Sequence, residues 1–352
     1  MTGPVIGPMN GAVKPVLIVH DEPAEVTRAV VDGGPSTVQE ALEVGAGLVT
    51  LEPYVGKGRT ADLWEALATL GARDLALARA IEPHLDAVTI LDQAGQRSER
   101  TDRFGVFAAE GPGVRLAATP AGPRWQLDGT KPWCSLAGML SHALITAWVD
   151  DDRRQLFRVD LRQPGVEVEA GAWSALGLRE IPSGPVRFDD VMADPVGDPG
   201  WYLQRPGFAW GGISVAACWF GGAVGIGRRL LEAARRRSAD DQLLMMHLGA
   251  VDARLAEARC MLADAAARID AASPTAQGDA GDLLAQRVRS TVARSCEAVI
   301  RHVGHALGPG PLANDAEHAK QVADLELYVR QHHAERDDAS QGRRVRGADD
   351  PW

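Results

Sequence analysis

The chain is poor in cysteine, with four among 352 residues. The four lie far apart and form no Cys-x-x-Cys pair; they are Cys134, Cys218, Cys260 and Cys296. Without paired cysteines, the sequence supports neither a structural zinc site nor a disulfide framework. A reducing compartment is the simplest setting for such a chain, so we expect a cytoplasmic protein.

An excess of basic residues is also missing. Lys and Arg number 37 against 47 Asp and Glu, which gives a net charge of −10 at pH 7. Because a nucleic-acid surface needs a basic face, this balance argues against a nucleic-acid partner. The N-terminus lacks a basic segment followed by a long apolar core, so we expect no signal peptide.

Long apolar runs are rare. One uncharged stretch, residues 208–227, is long enough to span a bilayer, but six glycines dilute its hydrophobicity. This favours a buried helix over a membrane span, and we expect no membrane partner. Residues 221–227 give no Gly-x-Gly-x-x-Gly register and lack a βαβ setting, so a dinucleotide loop is not predicted. His302 and His305 are interpreted as polar residues at a helix end, and we expect no metal.

The patterns that are present follow a clear order. After a loose leader, residues 1–20, helical spacing of apolar residues runs through residues 21–98. About seven short alternating runs over residues 99–205 predict a small antiparallel β-barrel or sandwich domain. Residues 206–337 are helical again and predict a C-terminal four-helix bundle, and residues 338–352 are predicted to be disordered. The fold class is therefore α+β.

Two helical segments carry more specific expectations. An apolar face runs from Leu75 to Leu91, and Pro83 in its middle predicts a kink or a break. From Leu244 to Ile269 the apolar positions alternate in steps of four and three, the spacing of a coiled-coil seam. This seam and the small residues at 221–227 favour close helix packing and a self-associating bundle.

The most informative run is residues 127–135, Leu-Asp-Gly-Thr-Lys-Pro-Trp-Cys-Ser. Asp128-Gly129 predicts a turn between two strands, and the Lys-x-Trp-x-Ser pattern would place alternate side chains on one face of the outgoing strand. Trp133 and Ser135 would then form a flat wall with one hydrogen-bonding group, which suits a planar ligand such as a flavin. The alternative is an ordinary hairpin with a tryptophan in the core.

This organisation resembles the acyl-CoA dehydrogenase family of flavoproteins. The Lys-x-Trp-x-Ser run is similar to the family's flavin-contacting Trp and Ser/Thr, and Leu-Gly-Leu-Arg at 176–179 is similar to the family's Gly-Leu-Arg passage. Residues 107–112, Phe-Ala-Ala-Glu-Gly-Pro, stand where the family has its Thr-Glu-Pro flavin loop. The likeness covers roughly residues 60–337.

The resemblance implies FAD bound between the β domain and the bundle. It assigns Trp133 to stacking on the flavin ring and Ser135 to a hydrogen bond near flavin N5. The backbone of Ala108 and Ala109 would meet the polar edge of the ring, although Ala109 replaces the family's threonine and removes one hydrogen bond. The family forms dimers and tetramers, so we expect a homodimer or homotetramer.

The family's catalytic glutamate has no counterpart in the expected register, where Gln331 or His332 stands. Glu335 is the nearest carboxylate and, on a continuous helix, would share a face with His332. His332 or Glu335 would then be the catalytic group at the flavin. Alternatively, both belong to a solvated, charged helix end.

Three functions are compatible with this sequence. The first is an FAD-dependent oxidoreductase acting on acyl-CoA or a carrier-bound acyl group. The second is a flavin-dependent monooxygenase of the same fold, in which a histidine near the flavin replaces the base. The third is a non-catalytic scaffold paralogue that lacks the usual glutamate.

Overall fold

The computed structural model describes residues 13–205, 207–237, 241–272 and 279–350. Four helices open the fold: α1 (Glu25–Asp32), α2 (Val38–Leu48), α3 (Thr60–Arg73) and α4 (Leu75–Gln93). Asp74 caps α4 by accepting a hydrogen bond from the backbone N–H of Ala76 at 2.8 Å. Pro83 lies inside α4, which continues as one helix through it instead of breaking.

The described part of the leader is not loose. Val16 and Ile18 are buried, and the backbone N–H groups of Ile18 and Val19 each donate to Glu65 Oε1 at 2.8 Å. The expectation of an unstructured leader was therefore wrong from residue 13 onward, because a buried carboxylate on α3 binds its backbone. Residues 1–12 of that leader lie outside the described residues.

Seven strands form the middle domain and confirm the predicted fold class. They are β1 (Phe104–Phe107), β2 (Leu116–Ala121), β3 (Arg124–Lys131), β4 (His142–Trp148), β5 (Arg154–Asp160), β6 (Val166–Val168) and β7 (Val186–Val196). The strand order β4-β2-β3-β7-β5, with β5 pairing back to β4, closes a small barrel. The barrel is mixed, since β4 pairs with β1 and β2 in parallel.

The C-terminal part is helical. Its elements are α5 (Trp201–Gln204), α6 (Phe208–Arg235), α7 (Gln242–Ala271), α8 (Asp279–Leu307), α9 (Pro309–Asn314), α10 (Ala316–Tyr328) and α11 (Glu335–Gly347). The chain between α10 and α11 leaves the helix at His332, where the backbone is extended, so the continuous helix that would place His332 and Glu335 on one face is interrupted.

The tail predicted to be disordered is helical as far as Gly347. Helix α11 packs on α8, where Arg294 donates to both carboxylate oxygens of Asp338 at 2.7 Å. Ser340 accepts a hydrogen bond from Gln286 at 3.0 Å. These polar contacts fix a segment that has no apolar period, which is why hydrophobic patterning alone did not reveal it. Residues 351–352 of the tail lie outside the described residues.

Helices α3 and α6 cross in close contact at the centre of the molecule. A Cβ built on Gly221 would lie 2.1 Å from the carbonyl oxygen of Ala68, so a side chain there is excluded. This confirms that the small residues of 221–227 serve helix packing. Within the described residues, α6 is the one helix long and apolar enough to cross a membrane, and 72% of its most apolar window is buried inside the molecule.

Candidate functional site

The run 127–135 is built differently from the hairpin expected there. Asp128 and Gly129 lie inside β3, where the pairing with β7 shifts register, and β3 ends at Lys131. Gly129 has φ +119°, and a Cβ on it would lie 2.2 Å from the carbonyl oxygen of Arg115. Asp-Gly therefore produces a bulge, and the prediction of a turn at this dipeptide was wrong.

Trp133 and Ser135 follow the strand instead of continuing it. Trp133 has a left-handed backbone (φ +60°) and its residue surface is 59% exposed, whereas Ser135 is 8% exposed. Lys131, two residues before Trp133, is 1% exposed. The three side chains therefore do not share one face, because the alternation of a strand stops at Pro132. The flat wall expected from these two residues is therefore not formed by strand alternation, and their roles at a flavin stay predictions.

A buried lysine at the end of β3 joins this strand to the loop after β1. Lys131 Nζ donates to Glu110 Oε1 at 2.6 Å and to Thr146 Oγ1 at 2.9 Å. Burial lowers the pKa of Lys131. Burial also acts to raise the pKa of Glu110, but the interactions of Glu110 with Lys131, Arg154 and Trp148 together outweigh burial and lower that pKa. Glu110 directly follows Ala108 and Ala109 in the sequence, so the Lys131–Glu110 pair ties their loop to the end of β3, and Ala109 is exposed.

Helix α4 reaches the same place through Arg79. The guanidinium Nη2 of Arg79 donates to Ser135 Oγ at 2.9 Å, and Ser135 Oγ lies 2.7 Å from Ser183 Oγ. Arg79, Ser135 and part of β1 line a narrow cavity of about 10 Å³. The predicted flavin-contacting hydroxyl is thus anchored between the barrel and the helices.

Two carboxyl groups lie deeper on α4. Glu82 and Asp86 line a second small cavity whose other walls include Leu63, Leu67 and Ser214. Glu82 is 6% exposed, and burial, followed by the charge of Asp86, raises its pKa to about 8. Burial also raises the pKa of Asp86, which lies 3.7 Å from Arg205 Nη2.

The two residues expected to be catalytic lie elsewhere in the C-terminal region. His332 is 7% exposed, shares a hydrogen bond of 3.2 Å with Ser290 Oγ on α8, and has a pKa lowered chiefly by burial. Glu335 is exposed at the start of α11. Within the described part of the chain, no hydrogen bond or ion pair joins either residue to Trp133 or Ser135, and their catalytic roles stay predictions.

Sequence reasoning missed Arg79 and Glu82. The available signal was a pair of charges three residues apart in a segment whose neighbours are almost all apolar. Charged residues inside an apolar stripe are rarely buried unless they are paired or functional. Their relation to Ser135 was not visible, because Arg79 and Ser135 are 56 residues apart.

Two family models match the chain. The acyl-CoA dehydrogenase middle domain matches residues 101–191, and the acyl-CoA dehydrogenase C-terminal domain matches residues 198–326. Together they cover more than half of the 352 residues. No curated protein sequence gives a significant match.

Solved structures show the same fold at low identity. Nitrososynthase from Micromonospora carbonacea var. africana is 19% identical, with TM-score 0.74, covering 93% of this chain and 97% of that one. FMN-bound TdsC from Paenibacillus sp. A11-2 is 18% identical, with TM-score 0.73 and coverages of 87% and 88%. Butyryl-CoA dehydrogenase from Megasphaera elsdenii is 17% identical, with TM-score 0.73 and coverages of 88% and 89%. With the matched domain models, these findings show that the chain is a divergent member of the acyl-CoA dehydrogenase family.

Proposed function

We propose that this chain is a flavin-dependent oxidoreductase whose flavin ring lies against the segment after β3. The observation that carries the proposal is the arrangement of Trp133, Ser135 and Arg79. Trp133 offers an exposed aromatic face for stacking, and Ser135, two residues further on, carries a hydroxyl that is bound by Arg79. A flavin, when bound, supplies a two-electron acceptor.

The residues present fit such a ring. The Lys131–Glu110 pair ties the loop of Ala108 and Ala109 to the end of β3, and we propose that the peptide groups of this loop meet the polar edge of the ring. The cofactor that the family resemblance suggests is FAD. FMN is the alternative, because the TdsC and KijD3 structures are described as FMN complexes.

The proposed substrate is an acyl thioester, either acyl-CoA or a carrier-bound acyl group. Removing a proton next to the thioester carbonyl requires a base. Glu82 is our candidate for that base, because it is buried, lines a cavity and lies one helical turn from Arg79. A pKa near neutrality suits a group that both takes and releases a proton.

A flavin-dependent monooxygenase is the second candidate. The observation that favours it is the exposure of Glu335 and the engagement of His332 with α8, which leave no described carboxylate at the family's usual base position. One neighbour of the same fold is described as a dibenzothiophene monooxygenase.

Flavin titration followed by two reduction assays tests the proposal. We expect FAD or FMN to bind the purified chain with a yellow colour and quenched flavin fluorescence. Bleaching by butanoyl-CoA without oxygen supports the dehydrogenase. Turnover that needs an external reductant and oxygen supports the monooxygenase. Failure of the chain to bind either FAD or FMN would contradict both the dehydrogenase and the monooxygenase, and the non-catalytic scaffold role would then be favoured.

We also propose that the chain self-associates as a homodimer or homotetramer. Leu243 and Met246, three residues apart on α7, are 73% and 50% exposed and form an apolar pair on the surface of this helix that a second copy would cover. Light scattering after gel filtration measures the mass directly, and a monomer at micromolar concentration would contradict this proposal.

A further inference from the structure

The guanidinium of Arg79 is a positive charge with unused hydrogen-bonding capacity. The residue is half-buried, and its one hydrogen bond in the described part of the chain goes to Ser135 Oγ. No carboxylate oxygen of the described residues lies within 4.0 Å of it. A guanidinium carries five N–H donors, so most of its donors are free for a ligand.

The hydrogen bonds of the two serine hydroxyls beside Arg79 have defined donors and acceptors. Ser183 Oγ donates to the carbonyl oxygen of Ile181 at 3.0 Å. Ser135, which accepts from Arg79, therefore donates its own proton to Ser183 at 2.7 Å. This chain of bonds holds the guanidinium against the barrel. Apolar side chains line the remainder of the cavity, among them Phe104, Phe107, Leu136 and Leu140, and strengthen the attraction of the charge for an anion.

Glu82 does not neutralise Arg79 at neutral pH. Burial raises the pKa of Glu82 to about 8, so its carboxyl holds a proton at pH 7. The groups acting on Glu82 or responding to its charge come from every surrounding helix: Arg79 and Asp86 on α4, Tyr202 on α5, Cys218 on α6, Arg289 on α8 and Tyr328 on α10. Asp86 has its own partner in Arg205. The charge of Arg79, which lines the cleft, thus has no counterion among the residues that the structure describes.

We propose that Arg79, held in place by Ser135 and Ser183, binds a carboxylate group of the substrate in this cleft. The proposal rests on the proposed function, because it names the substrate class of that same site: an acyl compound that bears a free carboxylate. The planar fork of a guanidinium matches the two oxygens of a carboxylate, which can accept two parallel hydrogen bonds from it.

Isothermal titration of the purified full chain with butanoate and with the neutral isostere butanamide tests this. We expect butanoate to bind at least tenfold more tightly. Arg79→Met should abolish this preference, and Arg79→Lys should retain only part of it because lysine lacks the planar fork. Arg294→Met, which removes an exposed arginine on α8, is the matched control and should leave the preference unchanged.

The pH dependence sharpens the test. Between pH 7 and pH 9 we expect butanoate affinity to fall, because ionised Glu82 then compensates Arg79, and Glu82→Gln should remove that fall. Equal affinity for butanoate and butanamide, or an unchanged preference in a folded Arg79→Met, would overturn the inference. Tighter binding of inorganic phosphate than of butanoate would overturn it as well.

Flavin binding is recorded on the same samples. A chain that binds butanoate but no flavin keeps the carboxylate site and loses the proposed function. A chain that binds flavin but shows no preference for butanoate loses the carboxylate site alone. If Arg79→Met does not fold, Arg79→Lys tests the inference in its place. This variant keeps the positive charge, and it must still weaken the preference for butanoate over butanamide.

Discussion

The crossing of α3 with α6 and the neighbouring face of α4 differ in what they bury. The crossing buries closely packed backbone, whereas α4 buries ionisable groups. At the crossing, glycines allow backbone contact, and the buried indole of Trp64 donates to Ser214 Oγ at 3.0 Å. On α4, by contrast, Arg79 has no counterion and the buried Glu82 has no ion-pair partner among the described residues. Tight packing stabilises the first region, whereas burial of a carboxyl group destabilises the second.

This contrast indicates where function resides. Buried ionisable groups without partners lower stability, and they persist chiefly where a ligand or a reaction uses them. The crossing of α3 and α6 should therefore be sensitive to any added atom. Removing the charge of Arg79 from α4 should leave the free energy of unfolding nearly unchanged but should abolish ligand binding.

The largest effect is expected at the crossing. Gly221→Ala places a Cβ 2.1 Å from the carbonyl oxygen of Ala68, so the helices must move apart. We expect the free energy of unfolding to fall by about 3 kcal/mol, measured by urea denaturation. Gly249→Ala on α7 is the control, because nothing lies within 4 Å of its Cβ position, and it should stabilise by up to about 1 kcal/mol. Similar losses for both variants would contradict the close crossing.

The next effect concerns the ion pair between Lys131 and Glu110, which joins the end of β3 to the loop after β1. Lys131→Met leaves Glu110 without its buried cation, and we expect a loss of about 2 kcal/mol together with weaker flavin binding. Arg124→Met breaks an exposed pair with Asp194 and should cost at most about 1 kcal/mol, with no change in flavin affinity. Equal flavin affinity in the Lys131 variant and the wild type would show that this pair does not shape the site.

Glu82→Gln should change the pH dependence of stability. The folded state holds the Glu82 proton up to a pKa of about 8, whereas the ordinary value is 4.5, so the stability that this proton supplies is lost as pH rises between the two. We expect the wild-type unfolding free energy to decline relative to the variant across this window, by at most about 1.4 kcal/mol per pH unit. Parallel curves for the two proteins would refute the raised pKa. Glu335→Gln, at an exposed position, is the control and should match the wild type.

The smallest expected change in free energy follows from Trp133→Ala. Because the residue is 59% exposed, its removal should leave the unfolding free energy within about 0.5 kcal/mol. Flavin affinity, measured by fluorescence titration, should fall about tenfold, or about 1.4 kcal/mol. Val168→Ala on β6, also exposed, should change neither quantity. Unchanged flavin affinity in Trp133→Ala would place the ring elsewhere.

Local patterns predicted much of the architecture and part of the site. Alternation revealed the strands, and helical spacing revealed α3, α4 and α6 to α8, because each element buries a face with its own period. The residue types of Trp133 and Ser135 named them as candidate flavin contacts, which stay predictions. The orientation of that pair was predicted wrongly, since the bulge at Gly129 and the end of β3 depend on pairing with β7 and not on local alternation.

The sequence by itself determined the order of the helical and β regions, the family and the residue types available for a flavin. Tertiary structure decided which of those residues meet. Arg79 reaches Ser135 across 56 residues of sequence. His332 shares a hydrogen bond with Ser290 on α8 and contacts neither Trp133 nor Ser135 by a hydrogen bond among the described residues. The physical reason is that periodicity reports which face of an element is buried, whereas contacts between distant side chains depend on how the barrel and the helices pack together.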